Sequence, residues 1–203
     1  MRTIQSWFLV VTILFGIPNL FAQTQLPIRI RGAITNSDGQ ELQVMTREGK
    51  ELKVNVTDET KINVLTLLSL SNIKQGSFVG VTAFQTGPGT PLQAREVHIF
   101  PESLRGTGEG HYDWDLEPGS SMTNANVDAI VTSNNGKELT LSYKGGIQNI
   151  FVPEGVPIVT FKPADKTLLA TGAQVFIMAK KGADGNLVAL HIQVGKDGLK
   201  PPM

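Results

Sequence analysis

Hydrophobic and polar residues alternate with a period of two along most of the chain, which is typical of half-buried β-strands. Isoleucines alternate with polar residues over 28–35, and Asp38-Gly39 then supplies a tight turn. Two further alternating segments follow at 42–44 and 52–56. This first part of the chain therefore predicts a three-stranded antiparallel meander.

The next part of the chain predicts two more strands after an irregular segment. Residues 63–72 offer too few positions for more than a short helix or turn. Alternation returns after Gly76, and a turn at Gly87-Pro88-Gly89 separates that segment from a last one at 92–100. The first half of the chain is thus predicted to contain five strands.

The same order of segments recurs after residue 124. Ile150 follows Val54 by 96 positions, Gly172 follows Gly76 by 96, and Ala189 follows Ala94 by 95. A match of turn glycines and apolar residues over this length indicates an internal duplication.

The predicted fold class is all-β, with two tandem small five-stranded barrels of the OB or SH3 type joined by a Gly-rich loop. Closure into barrels avoids open strand edges. The last strand of each half changes its alternation midway, which predicts a β-bulge there. The predicted division of the chain is a signal peptide at 1–22, a first barrel at 23–100, a connecting loop at 101–124, a second barrel at 125–195 and a tail at 196–203.

The N-terminus has the pattern of a secretory signal peptide. Arg2 precedes an apolar run from Trp7 to Ile17, and Ala22 offers a small residue at the predicted cleavage site. The alternative is an uncleaved membrane anchor, although the run is shorter than the roughly 18 residues that a span needs. No second apolar run follows, so we expect no transmembrane segment in the mature protein and a periplasmic or secreted location.

Composition removes several classes of function. The 18 basic and 18 acidic residues cancel, which argues against a nucleic-acid partner, because such proteins carry a basic surface. The chain has no cysteine, so disulfides, thiolate metal sites and a cysteine nucleophile are excluded.

Several motifs resemble an uncharacterised bacterial secreted family, a domain of unknown function with tandem OB-like repeats. They are Arg31-Gly32-x-Ile34, Ile73-Lys74-x-Gly76-x-x-Val79-x-Val81, Leu92-x-Ala94-x-x-Val97, the central 100–111 and Trp114-Asp115-Leu116. Proteins of the two-repeat branch are often labelled metal ABC transporter permeases. A permease needs several apolar spans of about 20 residues, and this chain has one apolar run, at its N-terminus. The resemblance implies no catalytic or binding residue.

The central stretch 101–124 is the part of the chain that the repeat does not explain. Its aromatic residues favour an ordered clasp between the two halves whose surface also serves for binding. The candidate binding residues are Arg105, His111, Trp114 and Asp115. We expect a non-enzymatic binding or interaction module without a cofactor, whose partner is an unknown envelope protein or a small ligand.

The alternative is a periplasmic protein that binds a divalent transition metal. Its candidate ligands are Glu96, His98, Glu109, His111 and Asp115. Imidazole and carboxylate groups suit such ions, and the alternation places Glu96 and His98 on the outward side of their strand. His191, 95 positions after Glu96, is expected at the surface as well. A phosphate loop at Gly106–Gly110 and a serine nucleophile near His111 have weaker support, because neither has its usual flanking motif.

Overall fold

The computed structural model describes residues 26–201, and the predicted signal peptide lies outside them. The all-β prediction is confirmed. The strands are β1 (Ile28–Ser37), β2 (Glu41–Thr46), β3 (Glu51–Asn55), β4 (Lys61–Leu68), β5 (Phe78–Gln85), β6 (Leu92–Ile99), β7 (Gly110–Asp113), β8 (Ser120–Ser133), β9 (Gly136–Tyr143), β10 (Gly146–Pro153), β11 (Ile158–Pro163), β12 (Gln174–Lys181) and β13 (Leu187–Gly195). Three short 3₁₀ turns lie at Leu70–Asn72, Glu102–Leu104 and Lys166–Leu168. Over residues 26–201, none of the helical segments has the length and apolar character that a membrane crossing requires.

Local chemistry explains the first hairpin. Leu42 and Val44 of β2 are fully buried, and the residues between and beside them are half-buried or exposed, as period two requires. The turn before β2 is fixed by Asp38, whose Oδ1 accepts the backbone N–H groups of Gln40 at 2.8 Å and Glu41 at 2.7 Å. Gly39 in that turn has a φ of 87°, which a residue with a side chain rarely adopts.

The strands form one hydrogen-bonded sheet that contains two closed circuits. The first strand ring is β1, β2, β3, β13 and β12, closed by the parallel pairing of β3 with β13. The second strand ring is β8, β9, β10, β6 and β5, closed by the parallel pairing of β10 with β6. Each ring surrounds its own buried hydrophobic cluster.

Each ring takes strands from both halves of the chain. The expectation that each half pairs only with itself is wrong, since β1 pairs with β12 and β8 pairs with β5. The sequence could not decide this. Val54 pairs with Leu42 and Leu187, and Ile150 pairs with Leu139 and Leu92. Because the two halves carry matching inward residues, a strand fits either half, and the pattern alone does not choose between them.

A bridge of two strands that joins the rings was missed at the sequence level. Residues 63–72 were expected to form a turn or short helix, yet Lys61–Leu68 is β4, which pairs antiparallel with β11. Leu65 lies opposite Phe161, the residue 96 positions later. The partners of β4 are β11 and β13, at least 90 positions away, so its local pattern gives no hint of them.

The predicted bulges are confirmed in both rings. The register between β5 and β6 shifts between Thr82 and Ala83, which leaves Arg95 unopposed on β6. The register between β12 and β13 shifts between Met178 and Ala179, which leaves Leu190 unopposed on β13. These bulges lie 95 positions apart and turn each strand at the same point of its ring.

Candidate functional site

The two candidate metal ligands on β6 form a buried pair. Glu96 is 1% exposed and His98 is fully buried, although the alternation places both on the outward side of their strand. The Nε2 atom of His98 contacts Oε1 of Glu96, although the geometry is not that of a straight hydrogen bond. Their side of β6 is outward with respect to the second ring, as predicted, but the bridge and the C-terminal segment around Leu199 cover it.

The cover over this pair is aromatic and aliphatic. His98 meets the edge of Phe161 at 5.8 Å between ring centroids, and Phe161 meets Phe100 at 5.4 Å. Leu65, Val159 and Phe161 form a third small hydrophobic cluster with Phe100 and Leu199 packed against it. The C-terminal segment thus closes the polar centre of the molecule.

A cation lies beside the same centre. Arg47 donates from Nη2 to the carbonyl oxygen of Pro201 at 2.6 Å. Burial lowers the pKa of Arg47, the charge of Arg31 lowers it further, and the carboxylates of Glu48 and Glu96 act in the opposite sense. Arg47 is exposed and contacts Pro201 rather than Glu96, so its charge acts on the buried Glu96 only from a distance.

The corresponding positions of β13 are uncharged. His191 is partly buried rather than a surface residue, and its Nε2 lies 2.7 Å from Nδ2 of Asn63. Burial lowers the pKa of His191, and the charges of Lys61 and His98 lower it further. The neutral imidazole then accepts a hydrogen bond from the Asn63 amide.

The central stretch is attached to the second ring along its length. β7 pairs antiparallel with Ser121–Asn124, so the end of the predicted loop is already strand β8. Arg105 donates to Oδ1 of Asn126 and, at 2.9 Å, to the carbonyl oxygen of Gly76. Gly106 and Gly108 have φ of 83° and 60°, which residues with side chains rarely adopt. The stretch is an ordered part of the fold.

The same stretch also binds the first ring. The guanidinium of Arg29 lies over the Trp114 ring at 3.9 Å. Asp115 accepts a hydrogen bond from Arg31 at 2.8 Å, and its other oxygen lies 3.5 Å from Arg29. Burial raises the pKa of Asp115, but the hydrogen bond and charge of Arg31, with the charge of Arg29, outweigh it and leave the pKa below its ordinary value.

Arg29 and Arg31 are the site residues that sequence analysis missed. They stand at alternate positions of β1, on the side opposite to Ile30 and Ile34 of the core. Basic residues on an outward face usually contact water, so this pattern alone does not predict a contact with another segment of the chain. The acidic and aromatic Trp114-Asp115 pair was a usable signal that something basic lies opposite.

A compact polar and aromatic surface remains open on β7. His111, Tyr112 and Asp113 are exposed, and Tyr112 lies 6.1 Å from Trp114 between ring centroids. His111 stacks on Tyr143 at 6.3 Å, and its Nδ1 lies 2.8 Å from Oγ1 of Thr123. We call Arg105, His111, Tyr112, Trp114 and Asp115 the central surface.

The structure does not bring the five candidate metal ligands together. Glu109 accepts the backbone N–H of Lys144 at 3.0 Å, Asp115 is held by two arginines, and Glu96 and His98 are buried apart from both. In the described range 26–201, no group of three or more His, Cys, Asp or Glu is placed to hold a metal ion.

Ser120 and Ser121, the serines of the central stretch that follow His111, hydrogen-bond to backbone carbonyls and not to the imidazole. The hydroxyl of Ser120 donates to the carbonyl oxygen of Trp114 at 2.9 Å, and that of Ser121 donates to the carbonyl oxygen of Ala83 at 3.5 Å. Both hydroxyl groups are therefore engaged in hydrogen bonds to the backbone.

A comparison with known protein families matches a segment within the first half of the chain. Residues 31–98 match the family model described as a domain of unknown function (DUF5666). The match runs from β1 to β6 and so spans strands of both rings. No curated protein and no solved structure matches the chain.

Proposed function

We propose that this protein is a non-enzymatic binding module that acts in the periplasm or outside the cell, with the central surface as its contact region. The proposal takes its location from the signal pattern of residues 1–22. It takes its architecture from an internal duplication in which two small barrels share strands. Within residues 26–201, the central surface departs from the repeat and carries exposed aromatic and charged residues.

The observation that carries the proposal is the double attachment of the central stretch. Arg105 ties it to the second ring, and Trp114 and Asp115 tie it to Arg29 and Arg31 of the first. A surface held in one conformation loses little conformational entropy on binding. Tyr, Trp and Arg are also the residues most enriched at the energetic centres of interfaces.

The test is a comparative capture from an envelope extract with purified wild-type protein and a Tyr112→Ala variant. Tyr112 is 37% exposed, so its truncation removes contact area, at the cost of the hydrogen bond that its hydroxyl accepts from Asn124 at 3.2 Å. Quantitative mass spectrometry should find a partner that wild type retains and Tyr112→Ala loses at least fivefold. Val131→Ala, at a 60% exposed position at the far end of β8, is the matched control and should retain that partner.

Capture that is equal for wild type and Tyr112→Ala would contradict the central surface as the contact region. A Trp114→Ala variant is less informative in this assay, because it also removes the ring beneath Arg29.

A further inference from the structure

The two rings differ at one edge. In the second ring, the last part of β8 pairs with β9 and its first part, Ser121–Asn124, pairs with β7. In the first ring, β2 pairs with β1 only from Gly32 onward. Within the described residues, Ile28–Ile30 therefore has a β12 partner on one side and no strand on the other.

The open edge of β1 corresponds in position to the edge that β7 covers. Ile28 pairs with Ala179, and Ser121 pairs with Ala83, which precedes Ala179 by 96 positions. The stretch 28–31 of β1 thus occupies the place of 121–124 in β8. At the equivalent edge of β8, the bound element is β7, a short antiparallel strand.

The open edge of β1 presents backbone N–H and C=O groups that have no partner strand within the described residues. The carbonyl oxygen of Arg31 accepts the N–H of Arg47 at 3.0 Å, so Arg31 directs its backbone toward the β2 side. Backbone direction alternates along a strand, and the N–H and C=O of Arg29 therefore point to the same side, beyond the last residue of β2. These two groups are the counterparts of those that Met122 offers to Tyr112 on β7.

A groove of about 240 Å³ lies along this edge. Its lining residues are Ile28, Arg29, Ile30, Arg31, Thr46, Glu48, Lys50 and Leu52. In the second ring, the side chain of His111 on β7 contacts Thr123 and Tyr143. At the matching place in the first ring, the groove is lined by the apolar side chains of Ile28, Ile30 and Leu52. A strand in the groove should therefore direct apolar side chains inward at alternate positions.

The charged residues of the groove indicate which side chains an added strand should carry on its other face. Three basic residues line the groove against one acidic residue, Glu48. The Nη1 of Arg29 stands 3.5 Å from Asp115, beyond a short ion-pair contact. An acidic side chain opposite Arg29 would add a second carboxylate beside its guanidinium.

We propose that the open edge of β1 binds an extended peptide segment of a partner protein by strand addition, with apolar residues at alternate positions facing the groove and an acidic residue between them facing Arg29. The proposal rests on the proposed binding function and names its ligand class. The added strand takes in the first ring the place that β7 takes in the second, beside Trp114 and Asp115.

The test uses a fluorescein-labelled peptide of sequence Ser-Glu-Val-Asp-Ile-Glu-Ser and purified protein, read by fluorescence anisotropy. Saturable binding is expected with wild type. Ile28→Asp and Lys50→Glu should each weaken it at least tenfold, because they place a carboxylate against the apolar or the acidic side of the peptide. Lys50 is exposed, so that variant keeps the test valid if Ile28→Asp loses stability.

Matched controls separate the edge from general charge effects. Ile147→Asp makes the same change at a 63% exposed position of β10, and Lys180→Glu does so at an exposed position of β12. Both should bind the peptide within twofold of wild type. A peptide with N-methyl groups on its Asp and on the two Glu residues cannot pair its backbone, and it should lose binding at least tenfold.

Three results would overturn the proposal: no binding to wild type, equal binding by the groove variants, or equal binding of the methylated peptide. Loss with Tyr112→Ala but not with Ile28→Asp would place the peptide on β7 and overturn the assignment to β1. If the peptide fails while the envelope capture still depends on Tyr112, strand addition at β1 is wrong and the binding function stands.

Discussion

At the residue scale, the unusual feature is an acid and an imidazole buried together at the centre of the molecule. Glu96 and His98 are among the fully buried side chains, and both lie on the face of β6 toward the bridge. Two ionisable groups in such a place are costly unless they pair. Their contact makes each group dependent on the other.

We predict that Glu96→Leu lowers the free energy of unfolding by about 3–5 kcal/mol, the usual cost of removing one member of a buried pair. The double change Glu96→Leu with His98→Phe should recover most of that loss, because no buried polar group is then left alone. Urea unfolding followed by circular dichroism measures both. A single variant as stable as wild type would show that the pair contributes nothing.

A second residue-scale prediction concerns pH and His191. Burial, Lys61 and His98 hold its pKa below the unfolded value of about 6.5. Below that pH the unfolded chain takes up the proton more readily than the folded one, so stability falls as pH drops, by at most about 1.4 kcal/mol per pH unit. His191→Gln should flatten the fall between pH 7 and 5 relative to wild type. Equal slopes in urea titrations would contradict the assignment.

At the element scale, the central stretch works as an anchored arm with a short strand of its own. It contacts the second ring through β7 and Arg105, and the first ring through Trp114 and Asp115. Each contact is partly exposed and individually weak. Together they hold β7 in one position, which is why the aromatic residues there are ordered.

We predict that Trp114→Ala loosens this arm without unfolding the rings. Loss of the Arg29 stack should remove roughly 0.5–2 kcal/mol of local stability, so the amides of Gly110–Asp113 should exchange with deuterium faster, while those of β12 keep their protection. Hydrogen exchange by mass spectrometry resolves the two regions. Unchanged exchange in β7 would mean that pairing with β8 alone orders the arm.

At the scale of the whole molecule, the rings are built by strand exchange between the halves of one chain. The bridge of β4 and β11 lies between them, with Leu65 opposite Phe161 at its middle. The first ring cannot close without β12 and β13, and the second cannot close without β5 and β6. Neither half of the chain therefore holds a complete core.

This arrangement predicts that a fragment of residues 26–100 does not fold as a monomer. It should be either unfolded or a dimer in which two copies exchange strands, since only a second set of β5 and β6 can replace β12 and β13. Sedimentation equilibrium with circular dichroism distinguishes these states. Mixing the fragment with residues 101–203 should restore the β-sheet spectrum of the intact chain. A folded monomeric fragment would contradict the exchange.

The sequence by itself determined the class of fold, most of the strands, the turn glycines and the two bulges, because period-two alternation and turn chemistry are local properties. It also identified the central stretch and, in Trp114 and Asp115, two residues that bind the first ring. The tertiary structure decided which half supplies each strand, and it showed that β4 is a strand. It also buried Glu96 and His98 and set Arg29 and Arg31 against the central stretch. These outcomes depend on contacts between residues in elements far apart along the chain or on cover from other elements, and a local pattern contains no information about either.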